Sequence, residues 1–166
     1  MAKHLHVLRH AKSSWDEPGL QDRERALNKR GRRDAPRMGS ALSRTLAPMS
    51  VSVSPAKRAQ LTLSGLIEGW PALTEQEHNT VEDLYTFSAE DLLYWICERS
   101  EGESNVFIIS HNPGLTELVN ALVGEPWLTN LPTCGYVQLA LSVGRWVDIT
   151  PGDGDLVFSL FPKQLP

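Results

Sequence analysis

Val106-Phe107-Ile108-Ile109-Ser110-His111-Asn112-Pro113 decides the fold. Four consecutive apolar residues suit a strand covered on both faces. Ser110-His111 ends that run. Asn112-Pro113 then predicts a helix, with Asn112 as its cap and Pro113 at its first position. Gly124 and Pro126 close the helix. A buried strand feeding directly into a helix is the repeating unit of an α/β protein.

The same alternation extends outward in both directions. Residues 4–9 read as a buried strand with alternating side chains. Residues 11–25 are polar, contain Pro18-Gly19 and read as a loop. Residues 27–46 read as an amphipathic helix capped by Asn28, although Gly31, Pro36 and Gly39 work against its first half. A short strand at 51–53 runs into Ser54-Pro55, which opens a helix to about Glu68; Gly69-Trp70-Pro71 stops it. A weak strand follows at 78–80. Ser88, with an acid three residues on, opens a helix to about Arg99. Residues 136–142, 145–149 and 156–161 read as strands near the sheet edge, the first two joined by a hairpin turn at Gly144. The expectation is one α/β domain over residues 1–166 with a mainly parallel central sheet.

Bulk properties limit the function. The chain has 166 residues, 41% of them hydrophobic and 22% charged. That is enough to close a core without staples. A net charge of -4 argues against general nucleic-acid binding. Cys97 and Cys134 have no metal-ligand spacing and read as buried reduced thiols. His4-x-His6 lacks a Cys or carboxylate partner at metal-binding spacing, and His78 has no visible partner. Asn28-Lys29-Arg30-Gly31-Arg32-Arg33 reads as a solvated helix start diluted by Asp22, Glu24 and Asp34. No segment reads as a membrane span or signal peptide, so a soluble, cytoplasmic protein is expected.

Three polar clusters follow the three early strands: Arg9-His10, Arg58 behind Ser54-Pro55, and Ser110-His111. Parallel strands would bring all three to one sheet edge, where ligands of open α/β sheets bind. Helix N-termini there favour anions. Two arginines and two histidines at one edge form a pocket for a doubly charged phosphoryl group, because a guanidinium can hold two oxygens at once. An imidazole in that pocket can act as a nucleophile. Arginines in this role take the place that Mg²⁺ has in other phosphoryl-transfer enzymes, so neither a metal nor another cofactor is expected.

Leu8-Arg9-His10-Ala11, Ser54-Pro55-Ala56-Lys57-Arg58-Ala59 and Ile109-Ser110-His111-Asn112-Pro113 together resemble the three signature blocks of the histidine phosphatase superfamily. The short length, Arg9-His10-Ala11-Lys12-Ser13-Ser14-Trp15 and Leu27-Asn28-Lys29-Arg30-Gly31 resemble its SixA-type phosphohistidine phosphatase branch. The resemblance implies the phosphoglycerate-mutase-like fold, a three-layer α/β/α sandwich. It implies that His10 is the nucleophile that becomes phosphorylated and that Arg9, Arg58 and His111 surround the phosphate. The choice of His10 over His111 rests on the resemblance alone. Ala11 stands where the superfamily pattern commonly has Gly, and Gln60 comes one place early before Thr62. Glu82 and Asp83 are the candidates for a general acid. The implied substrate is a protein phosphorylated on histidine. A small phosphate ester is the alternative, and a phosphate-binding module without turnover is a third reading.

Overall fold

The computed structural model describes residues 2–166. Six strands form one sheet: β1 (Lys3–Arg9), β2 (Ser52–Val53), β3 (Asn79–Thr80), β4 (Asn105–Ser110), β5 (Tyr136–Leu141) and β6 (Gly154–Leu160), in the order β3-β2-β4-β1-β5-β6. The pairings β3–β2, β2–β4 and β4–β1 are parallel, and β5 runs antiparallel to both neighbours. Four helices complete the fold: α1 (Lys29–Ser43), α2 (Lys57–Gly69), α3 (Ala89–Cys97) and α4 (Gly114–Val123).

Side-chain alternation along the strands builds three layers. Val106 and Ile108 of β4 pack with Leu5 and Val7 of β1 against α3 and α4. Phe107 and Ile109 face the other way, onto Met38 and Leu42 of α1 and Leu63 and Leu66 of α2. The α/β/α sandwich is therefore present, with β4 central as its apolar run predicts. The chain leaves β1 through α1 toward β2, and leaves β4 through α4 toward β5 on the other side. β1 and β4 thus flank the point where the winding reverses, and a crevice opens beyond their carboxyl ends.

Several local expectations shift. Asn28 caps α1 as expected, its side-chain oxygen accepting from the Gly31 amide at 2.9 Å. Ser88 caps α3 in the same way. α2, however, begins at Lys57 rather than at Pro55, because the Ser54 side chain turns back to accept from the Ala56 amide at 3.2 Å. α4 begins one residue late, after a cis Asn112–Pro113 peptide. Residues 145–149 are not a strand. Arg145 reaches Asp148 at 2.9 Å and closes a single tight turn over Trp146–Asp148. Trp146 is buried there and donates to the Glu103 carbonyl at 2.8 Å. No hairpin turns at Gly144; β5 pairs instead with β6, beyond that turn.

Cys134 is buried and Cys97 only half-buried, both free thiols. His6 is a satisfied core histidine between Tyr136 Oη at 2.6 Å and Asn105 Oδ1 at 2.8 Å. Of the basic run, Lys29, Arg30, Arg32 and Arg33 are exposed. Among the described residues, no helix is long and apolar enough to cross a membrane.

Candidate active site

Strand register places the site. Arg9 of β1 pairs with Ser110 of β4, and Val53 of β2 with Ile109. The residues one step further, His10, Ser54 and His111, therefore emerge side by side. Two backbone bonds fasten them: the His10 amide to the Ser110 carbonyl at 3.2 Å, and the Ser54 amide to the Ile109 carbonyl at 3.0 Å. The His10 and His111 rings lie 5.1 Å apart between centroids. Arg58, in the first turn of α2, reaches both. Its Nε donates to His10 Nε2 at 3.4 Å, and its Nη2 donates to His111 Nδ1 at 3.3 Å. All three side chains are buried.

These contacts set the tautomers. His10 Nδ1 lies 2.8 Å from the Ala11 carbonyl oxygen, which can only accept. Nδ1 therefore carries the proton, and Nε2 keeps a free lone pair toward Arg58. The Ala11 amide is itself held by Thr62 Oγ1 at 2.9 Å, and that hydroxyl donates to the Arg58 carbonyl at 2.7 Å. Ala11 thus sits between the nucleophile candidate and α2. Its φ is not positive, so the position needs no glycine. His111 Nε2 pairs with Ser54 Oγ at 2.7 Å. A hydroxyl accepts or donates, so His111 can present either a lone pair or an N–H at Nδ1.

Burial, first of all, holds His10 neutral, pushing its pKa down to about 3; the charges of His111, Arg58 and Arg9 add to this against the Ala11 hydrogen bond. Burial also takes His111 down to about 3, with Arg58 next in weight. His6 is lowered to about 4, again chiefly by burial. The sign of the linkage follows. These imidazoles charge in the unfolded chain near 6.5 but stay neutral in the fold, so the unfolded state binds more protons between 6.5 and about 3. Their contribution is intact above 6.5 and is lost as pH falls toward 3. At pH 5 each costs up to about 2 kcal/mol. Thermal melts should fall steeply between pH 7.5 and 5, and His111→Asn should flatten that dependence.

Arg9 is half-buried, and burial lowers its pKa, with Arg58 adding to the effect. Its Nη1 donates to the Leu131 carbonyl at 2.9 Å, whereas its Nε has no partner. Asn112 grips the same carbonyl at 2.9 Å and accepts from the Thr116 amide, so the cap expected of Asn112 is made from just outside α4. The Leu115 and Thr116 amides at the start of α4 are thus taken by the His111 carbonyl and the Asn112 side chain. At α2, which carries Arg58, no side chain caps the helix start.

The structure brings Arg9, His10, Arg58 and His111 together. It does not bring Glu82 or Asp83 with them. Glu82 pairs on the surface with Arg23 at 2.7 Å, and that hydrogen bond holds its carboxyl below the usual range. Asp83 is exposed and shares with Glu82, Tyr85, Asp91 and Glu98 the wall of a cleft of about 490 Å³. The carboxylate at the site is Asp22, which the sequence does not single out. Its Oδ2 lies 2.9 Å from Arg58 Nη2 and 2.7 Å from the Tyr85 hydroxyl. Tyr85 and Phe87 stand with their ring centroids 5.5 Å from that of His111 and form an aromatic edge to the crevice.

The family model for the histidine phosphatase superfamily (branch 1) matches residues 5–91, just over half the chain. The chain belongs to the histidine phosphatase superfamily. A curated relative, an uncharacterized chloroplastic protein of Arabidopsis thaliana, is 29% identical over 88% of this chain and 70% of its own. A solved structure from Agrobacterium tumefaciens, bearing the name phosphohistidine phosphatase SixA as a provisional assignment, superposes with TM-score 0.80. It is 24% identical and covers 98% of this chain and 99% of that one. A protein histidine phosphatase SixA bound to tungstate gives 0.75 at 21% identity, covering 96% and 97%. A mycobacterial glucosyl-3-phosphoglycerate phosphatase gives 0.65 at 16%, covering 95% and 98%. These structures share the phosphoglycerate-mutase-like fold with this superfamily member.

Proposed function

We propose that the protein is a phosphatase that acts on protein phosphohistidine through a covalent intermediate on His10. The supporting observation is the state of the carboxyl groups. Cleaving a phosphate ester needs an acid to protonate the departing alkoxide. Asp22, which meets Arg58, and Glu82, the acid expected from the sequence, are both ion-paired. Burial alone would raise Asp22, but hydrogen bonds from Tyr85 and Arg58 outweigh it and hold its pKa down at about 2. Glu82 is held down by Arg23. A phosphorylated imidazole needs no such donor. Once its other ring nitrogen is protonated, at a pKa near 6.5, it departs as neutral imidazole.

The steps balance on this geometry. The His10 Nε2 lone pair attacks phosphorus, the new N–P bond forms, and the substrate P–N pair returns to the leaving ring. Phospho-His10 keeps its Nδ1 proton against the Ala11 carbonyl, so it stays cationic and is itself a good leaving group. Water then forms the O–P bond, the N–P pair returns to Nε2, and both water protons leave on the phosphate as dihydrogen phosphate. Throughout, Arg58 and Arg9 hold the equatorial oxygens. Where a phosphoryl oxygen takes the place of the Arg58 contact at His111 Nδ1, the Ser54 hydroxyl can donate to Nε2 and leave an N–H at Nδ1 for that oxygen.

The test offers a protein phosphorylated on histidine by phosphoramidate, beside p-nitrophenyl phosphate, with EDTA present. The expected result is turnover of phosphohistidine at least ~100-fold above the ester, changed less than ~3-fold by Glu82→Gln. Ester turnover that is equal or better and is lost in Glu82→Gln would make the protein a small-molecule phosphomonoesterase. Failure of wild type to turn over either compound would favour a binding module.

A further inference from the structure

The contacts of Arg58 divide its guanidinium into two edges. The Nε–Nη2 edge faces the imidazoles of His10 and His111. The Nη1–Nη2 edge faces Asp22, with Nη1 donating to its carbonyl oxygen at 2.7 Å and Nη2 to its Oδ2 at 2.9 Å. We infer that Asp22 is a positioning residue that holds Arg58 by its far edge, so that the near edge, which here donates to the two imidazoles, can turn its N–H groups to two phosphoryl oxygens between them. This rests on the proposed role of Arg58 in the phosphatase reaction.

Asp22 is braced on every side that the function requires. The Tyr85 hydroxyl donates to Oδ2 at 2.7 Å. Arg25 Nη2 donates to Oδ1 at 3.2 Å. Arg25 is fixed in turn by Ser13 Oγ at 2.7 Å and lies under the Trp15 ring at 3.6 Å. The Asp22 backbone sits in a tight turn, Asp22–Glu24. Two of its acceptors, one main-chain and one side-chain, meet a planar fork whose geometry they match. A buried arginine on a flexible stem would otherwise lose time among rotamers that aim its near edge away from phosphorus.

Charge alone predicts the opposite of positioning. A fixed carboxylate beside an anion site repels phosphate, so its removal should tighten oxyanion binding. Positioning predicts weaker binding, and only while Arg58 is present. The experiment is a double-mutant cycle of Asp22→Ala and Arg58→Ala, read by kcat/KM on the phosphoramidate-phosphorylated protein and by the inhibition constant of vanadate. Asp22→Ala should lower kcat/KM ~10–100-fold and weaken vanadate in the native background, yet change either less than ~3-fold beside Arg58→Ala. Asp22→Asn, which keeps the main-chain contact and an oxygen acceptor, should recover part of the loss and serves if the alanine variant folds poorly. Tighter vanadate binding with undiminished turnover would overturn the inference, as would equal losses in both backgrounds. An Arg58→Ala protein as active as wild type would instead remove the functional reading itself.

Discussion

His10→Ala should lose at least ~10³-fold in turnover of phosphohistidine while keeping its fold. The proposed chemistry passes through the Nε2 lone pair, and no other ring nitrogen can take its place. His111 Nδ1 faces the same guanidinium, but its Nε2 is tied to Ser54 Oγ rather than to a backbone carbonyl. Of the two site histidines, His10 has its far nitrogen on a backbone carbonyl, that of Ala11 at 2.8 Å, which can only accept. The variant should still bind vanadate, because Arg9 and Arg58 remain. It should not incorporate label when wild type, quenched during turnover of phosphate-labelled substrate, yields an alkali-stable, acid-labile phosphoprotein. Label retained in His10→Ala but absent from His111→Ala would transfer the nucleophile role to His111. The pH profile adds a second check. With His10 held neutral down to about 3, its titration cannot set an acid limb near 6.5. A limb there would report the substrate imidazole, with activity rising as pH falls through 6.5.

The part of this site that the sequence makes visible is the part set by strand ends. Arg9-His10 and Ser110-His111 each follow an apolar run, and parallel pairing makes them neighbours whatever the loops do. Arg58 is visible for a related reason, since it lies one residue inside a helix that follows β2 directly. Asp22 lies in a loop of alternating charges, Asp22-Arg23-Glu24-Arg25, with no periodicity to mark one acid over another. Its partners stand 36 and 63 residues away, so only tertiary structure selects it. Glu82 misleads for the opposite reason. Its position along the chain suits an acid, but Arg23 from that same loop claims it. Ser54 and Thr62 belong to the matched blocks, yet the Ser54 hydroxyl reads as a helix cap and nothing in the sequence marks that of Thr62. They instead hold His111 and the Ala11 amide. Residues 145–149 resemble a strand because Trp146, Val147 and Ile149 are strand-favouring residues, and a short Arg145–Asp148 closure overrides that preference.

Gly39→Val should destabilise the protein by ~3 kcal/mol or more and lower its melting temperature by roughly 10 °C, with activity falling further than stability explains. Glycine in mid-helix counts against α1 on propensity, yet the helix runs unbroken through Gly31, Pro36 and Gly39. The reason is the contact with α2. A Cβ at Gly39 would stand 2.3 Å from the Leu66 carbonyl oxygen, and one at Gly69 only 1.9 Å from the Pro36 carbonyl oxygen. Gly65 meets Ala35 in the same seam. The atoms opposed at Gly39 and Gly69 are backbone, so no side chain can move aside and the helices must separate. Separation empties the layer formed by Met38, Leu42, Leu63 and Leu66, and the cavity adds to the strain. α2 also carries Arg58 and Thr62, the latter bonded to the Ala11 amide. A shift of α2 therefore moves the guanidinium off the histidines and loosens the residue whose carbonyl fixes the His10 tautomer. Gly144→Ala is the control: a Cβ there meets nothing within 4 Å, and stability should stay within about 0.5 kcal/mol of wild type. If Gly39→Val melts like that control, close backbone packing is not what these glycines provide, and the coupling drawn between the α1–α2 seam and the active site fails with it.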